Sequence, residues 1–157
     1  IGNFTPAEAV AFMTHCRRLV GTGGILLVGV DLKKEKRVLD AAYDDAQGVT
    51  AAFNLNLLRR INRELDGDFD LARFRHLAFY DAQAGRIEMH LESRFAQLAH
   101  VAGQRFRFEP GETIHTEISC KYGIEEFRSL AAGAQFHPER VWVDPQNLFS
   151  VHAMMAV

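Results

Sequence analysis

The stretch "TPAEAVAFMTHCRRLVGTGGILLVGVD", residues 5–31, sets the fold class of this chain. Thr5 is a helix N-cap, a proline fits the first turn, and Glu8 at the third helical position completes a capping box. Apolar residues at helical spacing then continue to Gly21, which ends the predicted helix. The run "GILLVGV" that follows is short and continuously apolar, as is typical of a parallel strand covered by helices on both faces. A helix leading into a buried strand predicts an α/β fold.

The next part of the chain is predicted to be helical. Apolar residues recur at helical spacing over residues 35–65, and Gly48 divides this region into two helices. A short helix is expected from Leu71 to Phe79. The predicted helices therefore lie between the first strand and the later strands in the sequence.

Beyond Gly85 the apolar period changes from helical to two, which predicts strands. The clearest case is "RIEMHLES", residues 86–93. One further helix and two closing strands, around residues 141–143 and 148–155, complete the pattern. This order suits the second half of a doubly wound sheet that carries an inserted β-rich substrate region.

Composition indicates an ordinary globular domain and no affinity for nucleic acid or membranes. The chain has 157 residues, is 48% hydrophobic and 24% charged, and has a net charge of -2 without a basic stripe. Its longest apolar run is far shorter than the roughly 20 residues of a membrane span. Cys16 and Cys120 fall in a predicted helix and a predicted strand, so we expect reduced interior thiols and a cytoplasmic location.

Several common catalytic and metal-binding patterns are missing. "GTGG" at residues 21–24 follows a helix and precedes a strand, the reverse of the order that aims helix amides at phosphate. The histidines show no HxxxH or HExxH spacing, so no metal site is predicted. His90 and His115 are interpreted as exposed strand residues. There is also no GxSxG nucleophile elbow.

The segment "GETIHTEISCKY" carries the most suggestive polar pair. In a strand, Glu117 and Ser119 lie on one face and Ile118 between them points to the other. A carboxylate beside a hydroxyl can hold both nitrogens of an imidazole ring, since Glu accepts hydrogen bonds while Ser donates or accepts them. The alternative is that Glu117, Ser119 and Lys121 form the solvated face of an ordinary strand.

Two further polar residues stand where a ligand could be contacted. Asn3 precedes the first helix, at the expected outlet of a strand, where open α/β sheets bind ligands. A turn asparagine that satisfies local backbone is the alternative. Tyr43 precedes an acidic pair on a helix, and a core tyrosine with a satisfied hydroxyl fits its surroundings equally well.

Together these segments resemble the C-terminal half of the histidine-specific S-adenosylmethionine-dependent methyltransferases. The segments that carry the resemblance are "IGNFTPAEAV", "LLVGVDLKK", "AAYDDAQGVTAAFNLNLLRRINREL", "RIEMHLES", "GETIHTEISCKY" and "DPQNLFSVH". They occur in the family's order and span nearly the whole chain.

The resemblance implies the C-terminal half of a class I (Rossmann-like) methyltransferase sheet with an inserted α+β substrate-binding region. It implies S-adenosylmethionine as cofactor, bound mainly by residues absent from this chain. It also implies that the chain starts inside a longer family motif and is inactive by itself. On this interpretation residues 1–34 and 121–157 belong to the methyltransferase core, and residues 35–120 mainly to the substrate-binding region.

The resemblance also assigns substrate contacts residue by residue. The family asparagine that holds the amino-acid backbone matches Asn3, and the helix tyrosine that reaches the carboxylate matches Tyr43. The Glu and Ser that grip the imidazole match Glu117 and Ser119, and a methionine lining the ring pocket matches Met89. No residue is expected to act beyond substrate orientation.

The implied function is methylation of the α-amine of L-histidine, as in ergothioneine biosynthesis. Two alternatives stay open: a family methyltransferase for another aromatic amino acid, and a non-catalytic amino-acid-binding module. The expected partner is a small amino acid. The fragment is also expected to self-associate through an exposed sheet edge, because its first strand lacks a neighbour.

Overall fold

The computed structural model describes residues 1–157, which form four α-helices and eight strands. The helices are α1 (Pro6–Val20), α2 (Lys36–Tyr43), α3 (Val49–Glu64) and α4 (Ile124–Gly133), with a short 3-10 helix at Leu71–Arg73. The strands are β1 (Ile25–Asp31), β2 (Phe74–Asp81), β3 (Arg86–Ser93), β4 (Gln97–Val101), β5 (Gln104–Phe108), β6 (Thr113–Cys120), β7 (Phe136–Val143) and β8 (Phe149–Ala156). None of the helices combines the length and the apolar composition that a membrane span requires.

The chain divides into two compact units. The first unit comprises residues 1–35, 82–86 and 118–157, and the second comprises residues 36–81 and 87–117. Strand β6 begins in the second unit and ends in the first.

The first unit is a three-stranded sheet in the order β1-β8-β7, with helices α1 and α4 contacting it. Both strand pairs are antiparallel. Its core contains fully buried side chains from both helices and from the sheet, including Met13, Val30, Phe127 and Met154. Burial of this apolar surface is the main stabilising contribution to the unit.

The predicted strand over Gly24–Val30 forms as β1, but its expected parallel pairing and two-sided burial are wrong within this chain. Strand β1 runs antiparallel to β8, with Ile25 opposite Met155. Its side chains alternate, so that Val30 is fully buried whereas Ile25 and Leu27 are 53% and 63% exposed. An apolar run shows that a strand has two apolar faces, but it does not show which elements cover them.

The second unit contains the sheet β2-β3-β6, the hairpin β4-β5, and helices α2 and α3, both of which contact β2. Phe69, Phe74 and Phe108 pack ring against ring at centroid distances of 5.5–6.0 Å, beside the buried Leu58 of α3. A second cluster joins α2 to strands β2 and β3 through Leu39, Tyr80, Ile87 and Met89. These clusters fix the helices against one face of the sheet.

The local helix signals of the sequence are confirmed. The Thr5 backbone amide donates to Glu8 Oε2 at 2.8 Å and the Glu8 amide donates to Thr5 Oγ1 at 3.4 Å, which forms the expected capping box. Gly48 adopts a φ of 70° between α2 and α3 and thereby divides the helical region, as predicted.

The helix expected over Leu71–Phe79 is wrong. Only Leu71–Arg73 forms a 3-10 turn, which Asp70 caps by accepting from the Ala72 amide at 3.0 Å, and β2 follows directly. Phe74 and Tyr80 are buried and Ala78 packs on the same side of the strand. An even spacing of four residues fits a strand as well as a helix, so the apolar pattern was ambiguous.

We predict that the 157-residue polypeptide self-associates through β1, because β1 lies at the edge of its sheet and exposes apolar Ile25 and Leu27. Sedimentation velocity at rising concentration is expected to show dimers or larger species. Leu27→Lys should shift the distribution toward monomer, since a charged side chain on an edge strand disfavours pairing. Leu19→Lys, a control on α1 at a side chain that is 74% exposed, should leave the distribution unchanged. A strictly monomeric wild-type polypeptide at every concentration would contradict the prediction.

Candidate functional site

Strand β6 carries the polar pair that the sequence singled out. Ser119 is 8% exposed, and Glu117 is partly buried. Ile118 packs against the core of the first unit, so it points away from the face of Ser119, as strand alternation predicts. Lys121, just after the strand, is 1% exposed. The alternative of an ordinary solvated strand face is therefore wrong, because two of its three members are buried.

Ser119 belongs to a short chain of polar contacts in the first unit, in which Ser119 and Lys121 are buried and Asp31 is partly exposed. The Lys121 ammonium donates to Ser119 Oγ at 2.8 Å and lies 2.6 Å from Asp31 Oδ2. Lys34 binds the other oxygen of the same carboxylate, Asp31 Oδ1, also at 2.6 Å. One carboxylate thus holds two ammonium groups, and that of Lys121 also contacts Ser119.

The segment that contains Asn3 passes beside Ser119. The Cys120 amide donates to the Gly2 carbonyl at 2.7 Å, which fixes this segment next to the end of β6. A Cβ atom on Gly2 would lie 3.4 Å from Ser119 Oγ and 3.2 Å from the Cys120 carbonyl oxygen. Glycine therefore permits this close approach, and it places the exposed Asn3 next in sequence to a residue that adjoins Ser119.

Tyr43 and Met89 come together in the second unit. Tyr43 ends α2 and packs against the cluster that contains Met89, which is 3% exposed. The Tyr43 carbonyl oxygen also lies 2.8 Å from His76 Nε2. The position of the tyrosine ring is thus defined by packing from one side and by a fixed backbone from the other.

Glu117 lines a small cleft in the second unit. The cleft has a volume of about 180 Å³ and is bounded by helix α3 and by β6, with Phe53, Asn54, Leu57 and Arg60 on the helix side. Pockets for drug-sized ligands usually have volumes of roughly 300–1,000 Å³, so this cleft is small. Of the five candidate substrate residues, it brings in Glu117 and none of the other four.

Sequence analysis missed the role of Asn54 on helix α3. This residue is 3% exposed, and its amide nitrogen donates to the His90 carbonyl oxygen at 3.0 Å and lies 3.0 Å from His76 Nδ1. A polar residue on the apolar face of a predicted helix was the available signal, since buried amides require partners.

The expectation that His90 is an exposed strand residue is also wrong, whereas His115 is exposed as expected. The His90 side chain is 13% exposed, and its Nε2 lies 3.1 Å from Glu88 Oε2. Its ring stacks on those of His115 and Phe79, at centroid distances of 4.6 and 5.7 Å.

These residues bring three possible metal ligands within 4.8 Å of one another, those of Glu88, His90 and His115. The two imidazole planes, however, are inclined by only 15°. Imidazole lone pairs lie in the ring plane, so two stacked rings cannot both direct a nitrogen at one ion. In this arrangement the cluster is a stack of rings.

The charge of Asp31 depends on its two lysine partners. Burial raises the pKa of the Asp31 carboxyl, but the hydrogen bonds from Lys121 and Lys34 outweigh burial and hold this pKa below its usual range. Asp31 is therefore ionised at neutral pH and compensates the charge of the fully buried Lys121 side chain.

We predict that Asp31→Asn destabilises the fold at pH 7 by about 3 kcal/mol or more, because it leaves the buried Lys121 ammonium without its counter-charge. The pKa of Asp31 is lower in the folded state than in the unfolded state. Its contribution to the free energy of unfolding is therefore complete at a pH above the ordinary pKa of the carboxyl, and it is lost as the pH falls through the folded-state pKa. The difference from wild type in urea unfolding should therefore shrink as the pH falls. Asp44→Asn, at an exposed position, is the control and should change the free energy of unfolding by less than about 0.5 kcal/mol. If Asp31→Asn lowered the free energy of unfolding by the same amount at every pH, this role of Asp31 would be refuted.

Comparison with known proteins identifies the family. The family model described as histidine-specific, SAM-dependent methyltransferase matches residues 1–156. The histidine N-alpha-methyltransferase of Mycolicibacterium smegmatis is 42% identical over 153 residues, which cover 96% of this chain and 48% of the relative. The corresponding enzyme of Mycobacterium tuberculosis is 39% identical with the same coverage, and ergothioneine biosynthesis protein 1 of Schizosaccharomyces pombe is 25% identical over 87% of this chain and 18% of its own length.

The chain spans about half the length of the two mycobacterial relatives. The resemblance described from the sequence is confirmed, since the family model covers all but the last residue. The chain belongs to the family of histidine-specific, S-adenosylmethionine-dependent methyltransferases.

Proposed function

We propose that the protein carrying this chain transfers methyl groups from S-adenosylmethionine to the α-amine of L-histidine, and that this chain supplies much of its substrate site. The observation that carries the proposal is the pair Glu117 and Ser119 on β6, in a chain whose residues 1–156 match a histidine-specific family. The relatives named histidine N-alpha-methyltransferase support the same substrate.

In this proposal each candidate residue has one role. Glu117 accepts a hydrogen bond from an imidazole N–H, and Ser119 binds the second ring nitrogen. Asn3 and Tyr43 hold the amino and carboxylate groups of the substrate, and Met89 lines the ring pocket. The approach of the Gly2 segment to Ser119 and the packing of Tyr43 on the Met89 cluster support these roles.

S-adenosylmethionine, when bound, supplies a methyl group on a sulfonium, which is a good leaving group. The residues of this chain have only to hold the amine in line with that group, so catalysis rests on alignment. The amine attacks when it is neutral, and Asn3 and Tyr43 orient it by binding the substrate's backbone atoms. No residue of this chain is assigned to the cofactor: the Gly21–Gly24 turn follows α1 and precedes β1, the reverse of a strand-turn-helix cradle.

A cytoplasmic setting also fits the proposal, because both cysteines are unpaired thiols.

The direct test of the proposed activity is incubation of the full-length protein with S-adenosylmethionine and a mixture of all the common amino acids, followed by mass spectrometry. Methylated histidine is the expected product. Methylation of another aromatic amino acid would move attention to Met89 and its neighbours, and no methylated product would favour a non-catalytic binding module.

We predict that Glu117→Ala raises KM for histidine by roughly 10- to 100-fold, because a hydrogen bond to a charged group is worth about 1.5–3 kcal/mol. The kcat should change much less, since Glu117 binds the ring and not the reacting amine. Steady-state kinetics with histidine and phenylalanine measure the effect. Glu109→Ala, at an exposed turn carboxylate that pairs with Arg107, is the matched control and should leave both parameters unchanged. A variant that keeps wild-type preference for histidine over phenylalanine would falsify the assigned role of Glu117.

A further inference from the structure

Helix α2, which carries Tyr43, is too short to hold its position by itself. It has eight residues, and isolated helices of fewer than roughly 12 residues are marginal in water. Its last carbonyl groups also have no partner within the helix, as at every helix C-terminus. The place of Tyr43 therefore depends on the contacts that the rest of the second unit makes with α2.

Strand β2 binds α2 at two points. Within the helix, Asp40 Oδ1 accepts a hydrogen bond from the Tyr80 amide at 2.8 Å, and the neighbouring Leu39 is buried. At the C-terminal end of the helix, the Tyr43 carbonyl oxygen lies 2.8 Å from His76 Nε2. His76 thus holds α2 at the very residue that is proposed to bind the substrate.

Two backbone carbonyls fix the proton positions on His76. A carbonyl oxygen only accepts, so the Tyr43 carbonyl requires a proton on His76 Nε2. The other ring nitrogen, Nδ1, lies 3.0 Å from Asn54 Nδ2, which also donates to the His90 carbonyl at 3.0 Å. An amide turned over would place its oxygen against that carbonyl, so Asn54 presents its N–H groups and His76 Nδ1 accepts. His76 is therefore a neutral imidazole in one defined tautomer.

The three hydrogen bonds of this chain join four elements of the second unit, in the order β3, α3, β2 and α2. Asn54 is 3% exposed and shares a helix face with the fully buried Leu58. An apolar residue would suit this position, since replacing both partners of a hydrogen bond by apolar groups is often nearly neutral for stability. A fully satisfied polar network instead specifies one arrangement of the elements that it joins. The chain from Asn54 to Tyr43 thus defines where α2 ends.

We infer that Asn54 and His76 are positioning residues that hold the end of α2, and with it Tyr43, in the place that binds the substrate carboxylate. This inference rests on the proposed function, in which Tyr43 contacts the substrate. The neutral ring of His76 serves as the link because it accepts at one nitrogen and donates at the other. Neither residue is assigned a contact with the reacting atoms, so their effect on the reaction passes through Tyr43.

Two substitutions of His76 in the full-length protein separate the two ends of this link. The oxygen and nitrogen of a glutamine amide are joined through one carbon, like the two ring nitrogens, so His76→Gln keeps the acceptor for Asn54 and the donor for Tyr43. His76→Asn keeps the acceptor but is too short to reach the Tyr43 carbonyl. We expect kcat/KM for histidine to fall roughly tenfold in His76→Asn and to stay within about twofold of wild type in His76→Gln. Equal losses in the two variants would overturn the inference.

A double-mutant cycle with Tyr43→Phe tests whether the effect passes through the tyrosine. Tyr43→Phe removes the hydroxyl proposed to bind the substrate and should lower kcat/KM by roughly tenfold or more. In that background His76→Asn should cause no more than about a twofold further loss. The same loss in both backgrounds would overturn the inference, because a general weakening of the fold acts independently of the hydroxyl. His100→Asn, at an exposed histidine that pairs with Asp68, is the control and should leave kcat/KM unchanged.

The tautomer of His76 is measured without reference to activity. The wild-type protein is labelled with ¹⁵N in its histidine rings and studied at a pH of about 8, where free imidazole is neutral. The ¹⁵N chemical shifts distinguish protonated from bare nitrogens, and the signals of His76 are those that disappear in His76→Gln. A bare Nδ1 and a protonated Nε2 are expected. A protonated Nδ1 on His76 would overturn the inference.

Failure of this inference is distinguishable from failure of the proposed function. If wild type methylates histidine and His76→Asn is equally active, the inference is refuted and the proposed function stands. If Tyr43→Phe is as active as wild type, the role of Tyr43 is refuted and the inference with it. If wild type does not methylate histidine, the proposed function is refuted and the inference with it. If His76→Asn does not fold, the activity of His76→Gln and the ¹⁵N measurement decide.

Discussion

The buried contact between Lys121 and Asp31 joins the two strand ends on which the candidate site is built. Asp31 ends β1 and Lys121 follows β6, and the Tyr122 amide donates to the Asp31 carbonyl at 3.1 Å beside them. The Lys33 amide returns a hydrogen bond to the Tyr122 carbonyl, also at 3.1 Å. Backbone and side chains thus enforce one register between these strand ends, and the fully buried Lys121 side chain tolerates little displacement from its counter-charge. From this fixed point the Lys121 ammonium donates to Ser119 Oγ at 2.8 Å.

The parts of the fold that could be predicted are those that depend on interactions between residues close together in the sequence. Thr5 and Glu8 accept hydrogen bonds from backbone amides that have no partner within the helix at its N-terminus. Gly48 adopts a positive φ, which other residues disfavour. The period-two pattern of residues 86–93 likewise follows from the geometry of a strand with one buried face. Each of these signals depends on neighbours within a few residues, so the sequence displays it directly.

The features that could not be predicted depend on contacts between distant segments. The pairing of β1 with β8 is decided by residues about 120 positions away, as in the contact of Ser150 with the Val30 carbonyl. The burial of Lys121 depends in the same way on Asp31, because a lysine alone on a strand is ordinarily exposed. Glu117 and Ser119 could be named from the family resemblance, but the contact of Lys121 with Ser119 and Asp31 could not, since no sequence pattern links residues 31, 119 and 121.

The chemistry of the proposed reaction limits what the substrate site has to do. The attacking α-amine must be neutral, and amines of this kind release their proton at a higher pH than an imidazolium does, whose pKa is about 6.5. At any pH that leaves a useful fraction of the amine neutral, nearly every histidine ring is therefore neutral already and carries one N–H and one bare nitrogen. In the proposed function, discrimination against a ring without nitrogen, such as that of phenylalanine, then comes from the carboxylate of Glu117, because such a ring offers it no N–H.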